Sequence, residues 1–229
     1  MNIGIFGATG VIGSETVREA ERRGHRVTAF ARDAARFPAD RGQVDWQVAD
    51  WLDTDSIAAA IAGLDVVISA VNAGYGVPDT IAHAGNFVTG AKAMIAAMNR
   101  HPSVRVITVG GAGSLEISPG QQIVDGGAEF ERSLIEDLEV PVEYGAVVRA
   151  LRDALNLYRQ SNRNWTYLSP SALRIGPGGE RTGRFRIGGD QILLRPDGTS
   201  HISAPDLAIA LLDEVEQPRF VQRRFTVGY

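Results

Sequence analysis

The sequence predicts an α/β fold with a doubly wound parallel sheet and helices on both faces of that sheet. Short apolar runs of strand length alternate with longer helical patterns over the first two thirds of the chain. This alternation is typical of parallel strands joined by right-handed helical crossovers. The chain has 229 residues and is 44% apolar, so one large domain can bury a substantial core without a disulfide or a metal ion.

The first five strands and their helices are predicted in regular order. A strand at residues 2–6 is followed by a helix whose apolar face carries Ile12, Val17 and Ala20. Gly24 is a typical stop signal for this helix. The later strands of this part are predicted at residues 26–30, 44–48, 65–69 and 104–109, and its later helices at residues 53–63 and 80–100.

The alternation is less regular beyond residue 110. A glycine-rich loop is predicted at 110–127, and Gly188-Gly189-Asp190 is typical of a hairpin turn. The other elements predicted here are helices at 130–138, 141–158 and 205–214, strands at 165–168 and 225–227, and hairpin arms at 185–187 and 191–194. We expect residues 1–229 to form a single domain, in which residues 170–229 contribute a small C-terminal cap over the substrate.

The composition excludes several classes of function. The formal net charge is −4 and the chain has no basic stretch, which argues against nucleic acid and anionic membranes as partners. Cysteine is absent, so disulfides and thiol nucleophiles are excluded, and the four scattered histidines predict no metal site. No apolar run is long enough to span a membrane, and the first residues do not resemble a signal peptide. We therefore expect a cytoplasmic monomer or homodimer that acts on a small molecule.

The loop between the first strand and the first helix carries the clearest functional pattern. Gly7, Gly10 and Gly13 are spaced by three residues. Glycines at this spacing let the turn close, let the backbone approach a pyrophosphate and let the helix pack tightly on the sheet. The unpaired N–H groups at the start of the helix favour bound phosphate, so we predict a Rossmann-type dinucleotide site. The cofactor residues predicted in this loop are Gly7, Thr9, Gly10, Val11, Ile12 and Gly13.

The end of the second strand predicts which dinucleotide is bound. Arg32 follows Gly13 by nineteen residues. An arginine at this place accommodates the 2′-phosphate of NADP, whereas a carboxylate would bind the free ribose hydroxyl of NAD. Arg36 lies one turn further on, and Asp33 is the residue that would favour NAD instead. We predict NADP as the cofactor, with NADPH preferred over NADH.

Residues that follow the next two strands complete the predicted site. Ligands of such sheets bind outside the carboxyl ends of the strands. We therefore predict that Asp50 receives the adenine amino group beside Trp51, although a turn or a helix cap explains Asp50 nearly as well. Ala70, Val71 and Asn72 are predicted to pass under the ribose and the pyrophosphate of the cofactor.

Several segments beyond the glycine loop resemble one protein family, and together they span essentially the whole chain. They are residues 109–115, 165–170, 179–183, 202–203 and 225–229. With residues 7–13 and Arg32, they resemble the atypical short-chain dehydrogenase/reductase family, in particular NAD(P)H-binding members similar to NADH-flavin reductases. The biliverdin reductase B and NmrA-like groups are more distantly similar. The resemblance implies hydride transfer from NAD(P)H and a place for Gly110 and Pro170 in the cofactor site.

The chain departs from ordinary short-chain dehydrogenases at their acid/base motif. Those enzymes use Tyr-x-x-x-Lys, in which the lysine lowers the pKa of the tyrosine. The single lysine, Lys92, follows Val88 by four positions, so the motif cannot be formed. Tyr144 is followed at that distance by Val148. Residues 126–144 also depart from the flavin-reductase-like pattern, so the sequence does not predict a substrate lid there.

Ser114 is the leading candidate for a catalytic residue. It follows the fifth strand, where its hydroxyl would donate a hydrogen bond to a substrate carbonyl or a flavin ring. A serine that only solvates the glycine-rich backbone explains the same position. Tyr144 and His83 are weaker candidates, because packing and surface exposure explain them better.

The absence of a recognisable acid/base group favours one type of chemistry. Hydride transfer to a planar acceptor such as a flavin or a quinone needs position and orientation more than a proton donor. The leading prediction is therefore an NAD(P)H-dependent oxidoreductase, with NADPH preferred, that reduces such an acceptor. The competing prediction is a non-catalytic NADP(H)-binding redox sensor or regulatory protein. A carbonyl reductase or an epimerase-like enzyme is a weaker alternative.

Overall fold

The computed structural model describes residues 1–171 and 175–229, and within these ranges the chain forms ten strands and seven helices. The strands are β1 (Asn2–Phe6), β2 (Arg26–Ala31), β3 (Asp45–Val48), β4 (Val66–Ser69), β5 (Arg105–Val109), β6 (Glu116–Ser118), β7 (Gln121–Gln122), β8 (Trp165–Leu168), β9 (Arg186–Gly188) and β10 (Arg223–Gly228). The helices are α1 (Val11–Arg22), α2 (Thr54–Ile61), α3 (Gly76–Ala82), α4 (Asn86–Arg100), α5 (Ala128–Glu136), α6 (Gly145–Arg159) and α7 (Ala204–Glu216). No helix in the described ranges is long and apolar enough to cross a membrane.

Eight of these strands form one sheet, in the order β3-β2-β1-β4-β5-β8-β10-β9. Neighbouring strands are parallel except for β9, which is antiparallel to β10. The chain winds outward from β1 in one direction and from β4 in the other, so the predicted doubly wound sheet is confirmed. The reversal between β1 and β4 leaves a crevice at their carboxyl ends, which is where such folds bind ligands. The short strands β6 and β7 form a separate antiparallel pair.

Helices cover both faces of the main sheet. α1 and α7 pack against each other on one face, and α2, α4 and α6 cover the other. On β1, Ile3 and Ile5 are buried on the side of α1 and α7. Phe6 is buried on the opposite side, where its ring stacks on Phe30 with centroids 4.6 Å apart. This alternation follows from the two-residue period of a strand, and it produces two cores that share one sheet.

The C-terminal part of the chain belongs to this framework. α7 lies in the same layer as α1, and β10 is inserted between β8 and β9. Residues 204–228 therefore stabilise the sheet itself. Within the predicted C-terminal cap, the role of a cap over the substrate stays a prediction for residues 170–203.

The predicted single helix at residues 80–100 is wrong, because the structure has α3 and α4 there. Between them, the N–H groups of Ala84, Asn86 and Phe87 donate to the carbonyl three residues back instead of four. This tighter bonding interrupts the α-helical ladder. Gly85, a poor helix former, lies at the centre of the interruption.

The predicted hairpin with arms at 185–187 and 191–194 is also wrong. β9 pairs with β10 instead, and Gln191 makes an isolated parallel bridge to Glu116. The outer edge of β10 offers backbone N–H and C=O groups that need partners, and β9 satisfies them. A local turn signal does not reveal which distant strand a segment pairs with.

A buried ion pair ties α7 to the centre of the sheet. Arg105 on β5 and Glu214 on α7 are 4% and 0% exposed. The Arg105 guanidinium donates to the Glu214 carboxylate and, over 2.6 Å, to the Glu214 carbonyl oxygen. The carboxylate also accepts the backbone N–H groups of Arg219 and Phe220. The negative charge of the buried Glu214 carboxylate is therefore stabilised by several protein donors instead of by water.

We expect Arg105→Met to lower the free energy of unfolding by about 3–5 kcal/mol, because it leaves the Glu214 carboxylate buried without its partner. Urea unfolding followed by circular dichroism measures the change. Arg100→Met is the matched control, since Arg100 pairs with Asp55 at the surface and exposed pairs contribute about 0–1 kcal/mol. Equal losses in the two variants would contradict a stabilising role for the buried pair.

Candidate active site

A cavity of about 640 Å³ opens at the carboxyl ends of the parallel strands, where β1 and β4 lie side by side. Loops that follow β1, β2, β4 and β5 form its wall, together with residues of α5 and α6. The predicted cofactor residues that line it are Gly7, Thr9, Gly10, Val11, Ile12, Arg32, Trp51, Ala70, Val71, Asn72, Gly110 and Pro170. Gly13, Asp50 and Ser114 lie outside its lining.

Two close approaches of the backbone shape the glycine loop between β1 and α1. Gly7 has a φ of +75°, and a Cβ added there would overlap the carbonyl oxygen of Ala70 in the loop after β4. A Cβ at Gly13 would overlap the carbonyl oxygen of Gly7. Gly13 therefore serves the packing of α1 against its own turn, as dinucleotide-binding turns require, although it does not line the cavity.

The first turn of α1 presents free backbone donors to the cavity. Gly10 caps the helix without a side-chain hydrogen bond, and the first turn has no acidic residue. The N–H groups of Val11 and Ile12 have no acceptor within the helix, and both residues line the cavity. The helix dipole adds a positive potential at this end. This arrangement fits the pyrophosphate of a dinucleotide.

Two arginines and a tyrosine form a cationic end of the cavity. Nη2 of Arg32 donates to the Tyr75 hydroxyl over 3.4 Å, and the Arg36 guanidinium lies 4.2 Å from the centre of the Tyr75 ring. Partial burial raises the pKa of Tyr75, but the guanidinium groups of Arg32 and Arg36 lower it overall. Asp33 accepts the N–H of Ala35 over 2.9 Å and does not line the cavity. The guanidinium groups of Arg32 and Arg36 therefore place positive charge at the end of the cavity where the sequence predicts a 2′-phosphate.

Asp50 does not line the cavity, and its Oδ1 accepts the N–H of Leu52 over 3.0 Å. This bond fits the turn that the sequence offers as the alternative for Asp50. A contact between Asp50 and an adenine amino group stays a prediction. Trp51 does line the cavity. Its indole is held by Phe87, at a centroid distance of 6.3 Å, and by Gly90, where a Cβ would overlap the ring.

Asn72 shapes the loop after β4 from within. Its Nδ2 donates to the Gly74 carbonyl oxygen and to Oγ1 of Thr80, both over 3.1 Å. Its Oδ1 accepts the N–H of Ala73 over 3.0 Å. These bonds occupy the polar atoms of the side chain, so Asn72 fixes the path of the loop that borders the cavity. A direct contact between Asn72 and a cofactor stays a prediction.

Ser114 is buried and does not line the cavity. It ends a 3-10 turn at Ala112–Ser114 and is 3% exposed. Its Oγ lies 3.2 Å from Nη1 of Arg224, which also donates to the Ser114 carbonyl oxygen over 2.6 Å. Arg224 pairs in turn with Asp190. Arg224 from β10 therefore fixes this hydroxyl outside the cavity lining, and a catalytic role of Ser114 stays a prediction.

One end of the cavity is an apolar chamber that the sequence did not predict. The residues that line this apolar chamber are Ile123, Phe130, Ser133, Leu138, Tyr144, Val148 and Leu151. It lies between α5 and α6, beside Gly113, where a Cβ would overlap Val148. Phe130, Leu134 and Leu138 recur at a spacing of four residues, and this helical face is the signal that could have revealed one wall.

Ser133 and Tyr144 provide the hydroxyl groups of the chamber wall. The Ser133 hydroxyl donates to the Phe130 carbonyl oxygen over 2.8 Å. Tyr144 ends a 3-10 turn, Val142–Tyr144, where the sequence predicts an α-helix, and burial raises the pKa of its phenol. Lys92 is exposed on α4 and does not line the cavity. Tyr144 therefore stays protonated at neutral pH and can donate a hydrogen bond, but it lacks the lysine that would make it a stronger acid.

A sequence model of the family described as NAD(P)H-binding matches residues 7–218 of the chain. Three solved structures are similar to this chain in sequence and fold. A Burkholderia pseudomallei protein, provisionally named an exported protein, is 41% identical with a TM-score of 0.82, and the match covers 100% of both chains. A Bacteroides thetaiotaomicron protein, provisionally named an epimerase, is 35% identical with a TM-score of 0.82 over 100% of this chain and 96% of the other. A Streptococcus pneumoniae TIGR4 protein, provisionally named an NADH-flavin reductase, is 29% identical with a TM-score of 0.78. This match covers 100% of this chain and 99% of the other.

The names of these three proteins agree on neither activity nor location. One name specifies a reductase, another an epimerase and the third an exported protein. These three proteins share the fold of this chain, but their names do not identify one acceptor. The cytoplasmic location stays a prediction from the sequence.

We expect Gly10→Val to abolish NADPH binding and to leave the fold intact, because a side chain at this turn would take the place of the pyrophosphate. The φ of −84° is open to any residue, and a Cβ would meet only the Gly7 carbonyl oxygen, at 3.2 Å. Titration calorimetry measures binding, and circular dichroism checks the fold. Gly189→Val is the control, since its Cβ would have no neighbour within 4 Å. Unchanged NADPH affinity in Gly10→Val would refute the cofactor site.

Proposed function

The chain belongs to the NAD(P)H-binding family, and on this basis we propose that it is an NADPH-dependent oxidoreductase whose acceptor is a planar ring such as a quinone or a flavin. The observation that supports this proposal is one continuous cavity with two different halves. The cofactor half carries the backbone donors of α1 and the side chains of Arg32 and Arg36. The other half is the apolar chamber. A dinucleotide and a flat apolar acceptor would thereby lie in contact.

The residues of the cofactor half fit NADPH. The free N–H groups of Val11 and Ile12 would hold the pyrophosphate, and Arg32 and Arg36 would hold the 2′-phosphate through charge-assisted hydrogen bonds. Bound NADPH supplies a hydride, which carries two electrons, from its nicotinamide ring. The acceptor takes up this hydride and one proton from water, so that NADPH, acceptor and H⁺ become NADP⁺ and the reduced acceptor.

The described residues that line the apolar chamber do not include the acid/base pair that ketone reduction needs. In ordinary short-chain enzymes, a tyrosine whose pKa is lowered by a lysine serves as the acid/base. Burial raises the pKa of Tyr144 instead, and Val148 stands where the lysine would be. Water can protonate a reduced quinone or flavin, so the reduction of these acceptors depends on position and orientation. This difference favours a quinone or a flavin over a ketone or an epimerase substrate.

We expect Arg32→Ala to weaken NADPH binding by roughly tenfold to 150-fold, because a charge-assisted contact with phosphate contributes about 1.5–3 kcal/mol. NADH binding should change little, since NADH has no 2′-phosphate. Titration calorimetry with both cofactors measures the difference. Arg26→Ala is the control, because Arg26 is exposed at the opposite end of β2. Equal losses for NADPH and NADH in Arg32→Ala would show that Arg32 is not the phosphate ligand.

The proposed activity is tested by following NADPH absorbance in the presence of menadione, riboflavin, FMN or dichlorophenolindophenol. We expect oxidation of NADPH with at least one acceptor. Tyr144→Phe should lower kcat/KM by about tenfold or less, because a lost neutral hydrogen bond costs about 1 kcal/mol and 1.36 kcal/mol is one decade.

Two outcomes of this assay would overturn the proposal. A loss of about a thousandfold in Tyr144→Phe, about 4 kcal/mol, with NADPH affinity intact, would identify Tyr144 as a general acid and favour a carbonyl reductase. Absence of NADPH oxidation with every acceptor, in a protein that binds NADPH, would favour a redox sensor instead.

A further inference from the structure

One wall of the apolar chamber is formed by a segment that is apolar inside and acidic outside. We call residues 125–143 the acidic lid. Phe130 and Leu138 of this lid line the chamber, and Leu134 is buried in the same cluster. The exposed carboxylate residues of the lid are Asp125, Glu129, Glu131, Glu136, Asp137, Glu139 and Glu143. Arg132 is the one cationic residue in this stretch of the sequence, so the solvent face of the lid is strongly negative.

The facing helix, α6, does not cancel this charge. Arg152 donates to Asp125 over 2.8 Å, and the Arg149 guanidinium lies 5.6 Å from the centre of the Phe130 ring. Residues 125–153 nevertheless contain eight carboxylate residues and only three arginines. The wall at the acceptor end of the cavity therefore carries a net negative charge, while the cofactor half carries positive charge.

The described residues that line the chamber provide no cation for an anion. None of these residues is charged, and their hydroxyl groups belong to Ser133 and Tyr144. A phosphate placed against these residues would lose water without gaining a cation, which is costly. The two faces of a helix are about 10 Å apart, and this distance is about one Debye length at 0.1 M salt. The carboxylates of the lid therefore act on a group inside the chamber.

We infer that the apolar chamber selects an uncharged ring and discriminates against the same ring when it carries a phosphate or another anionic group. The inference rests on the proposed function, since it defines the acceptor class of that site. The ring gains a hydride from NADPH and a proton from water, and NADPH becomes NADP⁺. An uncharged quinone or riboflavin carries no anionic group and suits the chamber, whereas FMN carries a phosphate and does not.

Riboflavin and FMN are matched probes, because they share one ring system and differ by a phosphate. Quenching of flavin fluorescence measures their binding, with saturating NADP⁺ present so that FMN does not bind in the cofactor half. At low ionic strength, where the Debye length is about 30 Å, we expect riboflavin to bind at least about tenfold more tightly than FMN. In about 1 M salt, where the Debye length is about 3 Å, the preference should largely disappear.

A pair of lid substitutions separates the effect of charge from that of shape. Glu136→Gln/Glu139→Gln removes two exposed carboxylates on either side of Leu138, and neither has an ion-pair partner among the described residues. We expect FMN binding to tighten several-fold at low ionic strength and riboflavin binding to stay unchanged. The control, Glu21→Gln/Glu180→Gln, removes two exposed carboxylates outside the cavity and should change neither affinity.

Equal affinities for riboflavin and FMN at low ionic strength, or a preference that the lid substitutions leave unchanged, would contradict the inference. If neither flavin binds, menadione and 1,4-naphthoquinone-2-sulfonate replace them, followed by tryptophan fluorescence because Trp51 lines the cavity. Equal binding of these two, or no binding of either, contradicts the inference as well. NADPH oxidation without discrimination would leave the proposed enzyme standing and refute only the selectivity. Discrimination without oxidation would support the selective chamber and refute the enzyme.

Discussion

The contact between the backbones of two loops positions the whole site. Gly7 and Ala70 approach so closely that a Cβ at Gly7 would overlap the Ala70 carbonyl oxygen. β1 and β4 are neighbours at the point where the sheet changes its winding direction. The contact between their loops therefore forms the floor of the crevice in which such folds bind ligands. Gly13 then lets α1 start directly on the turn, so that free N–H groups border the cavity. A side chain at Gly7 or Gly13 would push the start of the helix away from the strands.

The two halves of the cavity work by different physical means. The cofactor half combines backbone donors, a helix dipole and two guanidinium groups, which together suit an anionic dinucleotide. The apolar chamber combines aliphatic and aromatic walls with a phenol, Tyr144, whose pKa is raised by burial. An arrangement of this kind suits a flat acceptor beside a nicotinamide, and none of the described lining residues is an acid whose pKa is lowered by a neighbouring lysine. Chemistry that depends on position fits such a site better than chemistry that depends on proton donation.

Buried charges join the C-terminal part of the chain to the rest of the domain. Glu19 on α1 is 2% exposed and binds Arg23 and Arg181 at 2.9 Å. Burial raises the pKa of Glu19, but these arginines lower it overall. Arg224 on β10 holds the turn that contains Ser114 and thereby supports one wall of the cavity from behind. Because an unpaired charge at such buried positions is costly, these contacts favour one arrangement of the late segments over others.

The sequence predicts the alternation of strands and helices, the turn at Gly7 and the place of Arg32 after β2, because each is encoded in residues a few positions apart. The doubly wound order of the strands then follows from the general rule for right-handed crossovers. Glycine spacing and apolar periodicity are local properties, and local properties specify elements and tight turns. The tertiary structure decided which side chains are available for chemistry. The hydroxyl of Ser114 contacts Arg224, which lies 110 residues further along the chain, and the apolar chamber is lined by residues of both α5 and α6. Spacing along the chain cannot specify such contacts, since the neighbours that bury or expose a side chain are set when distant elements pack.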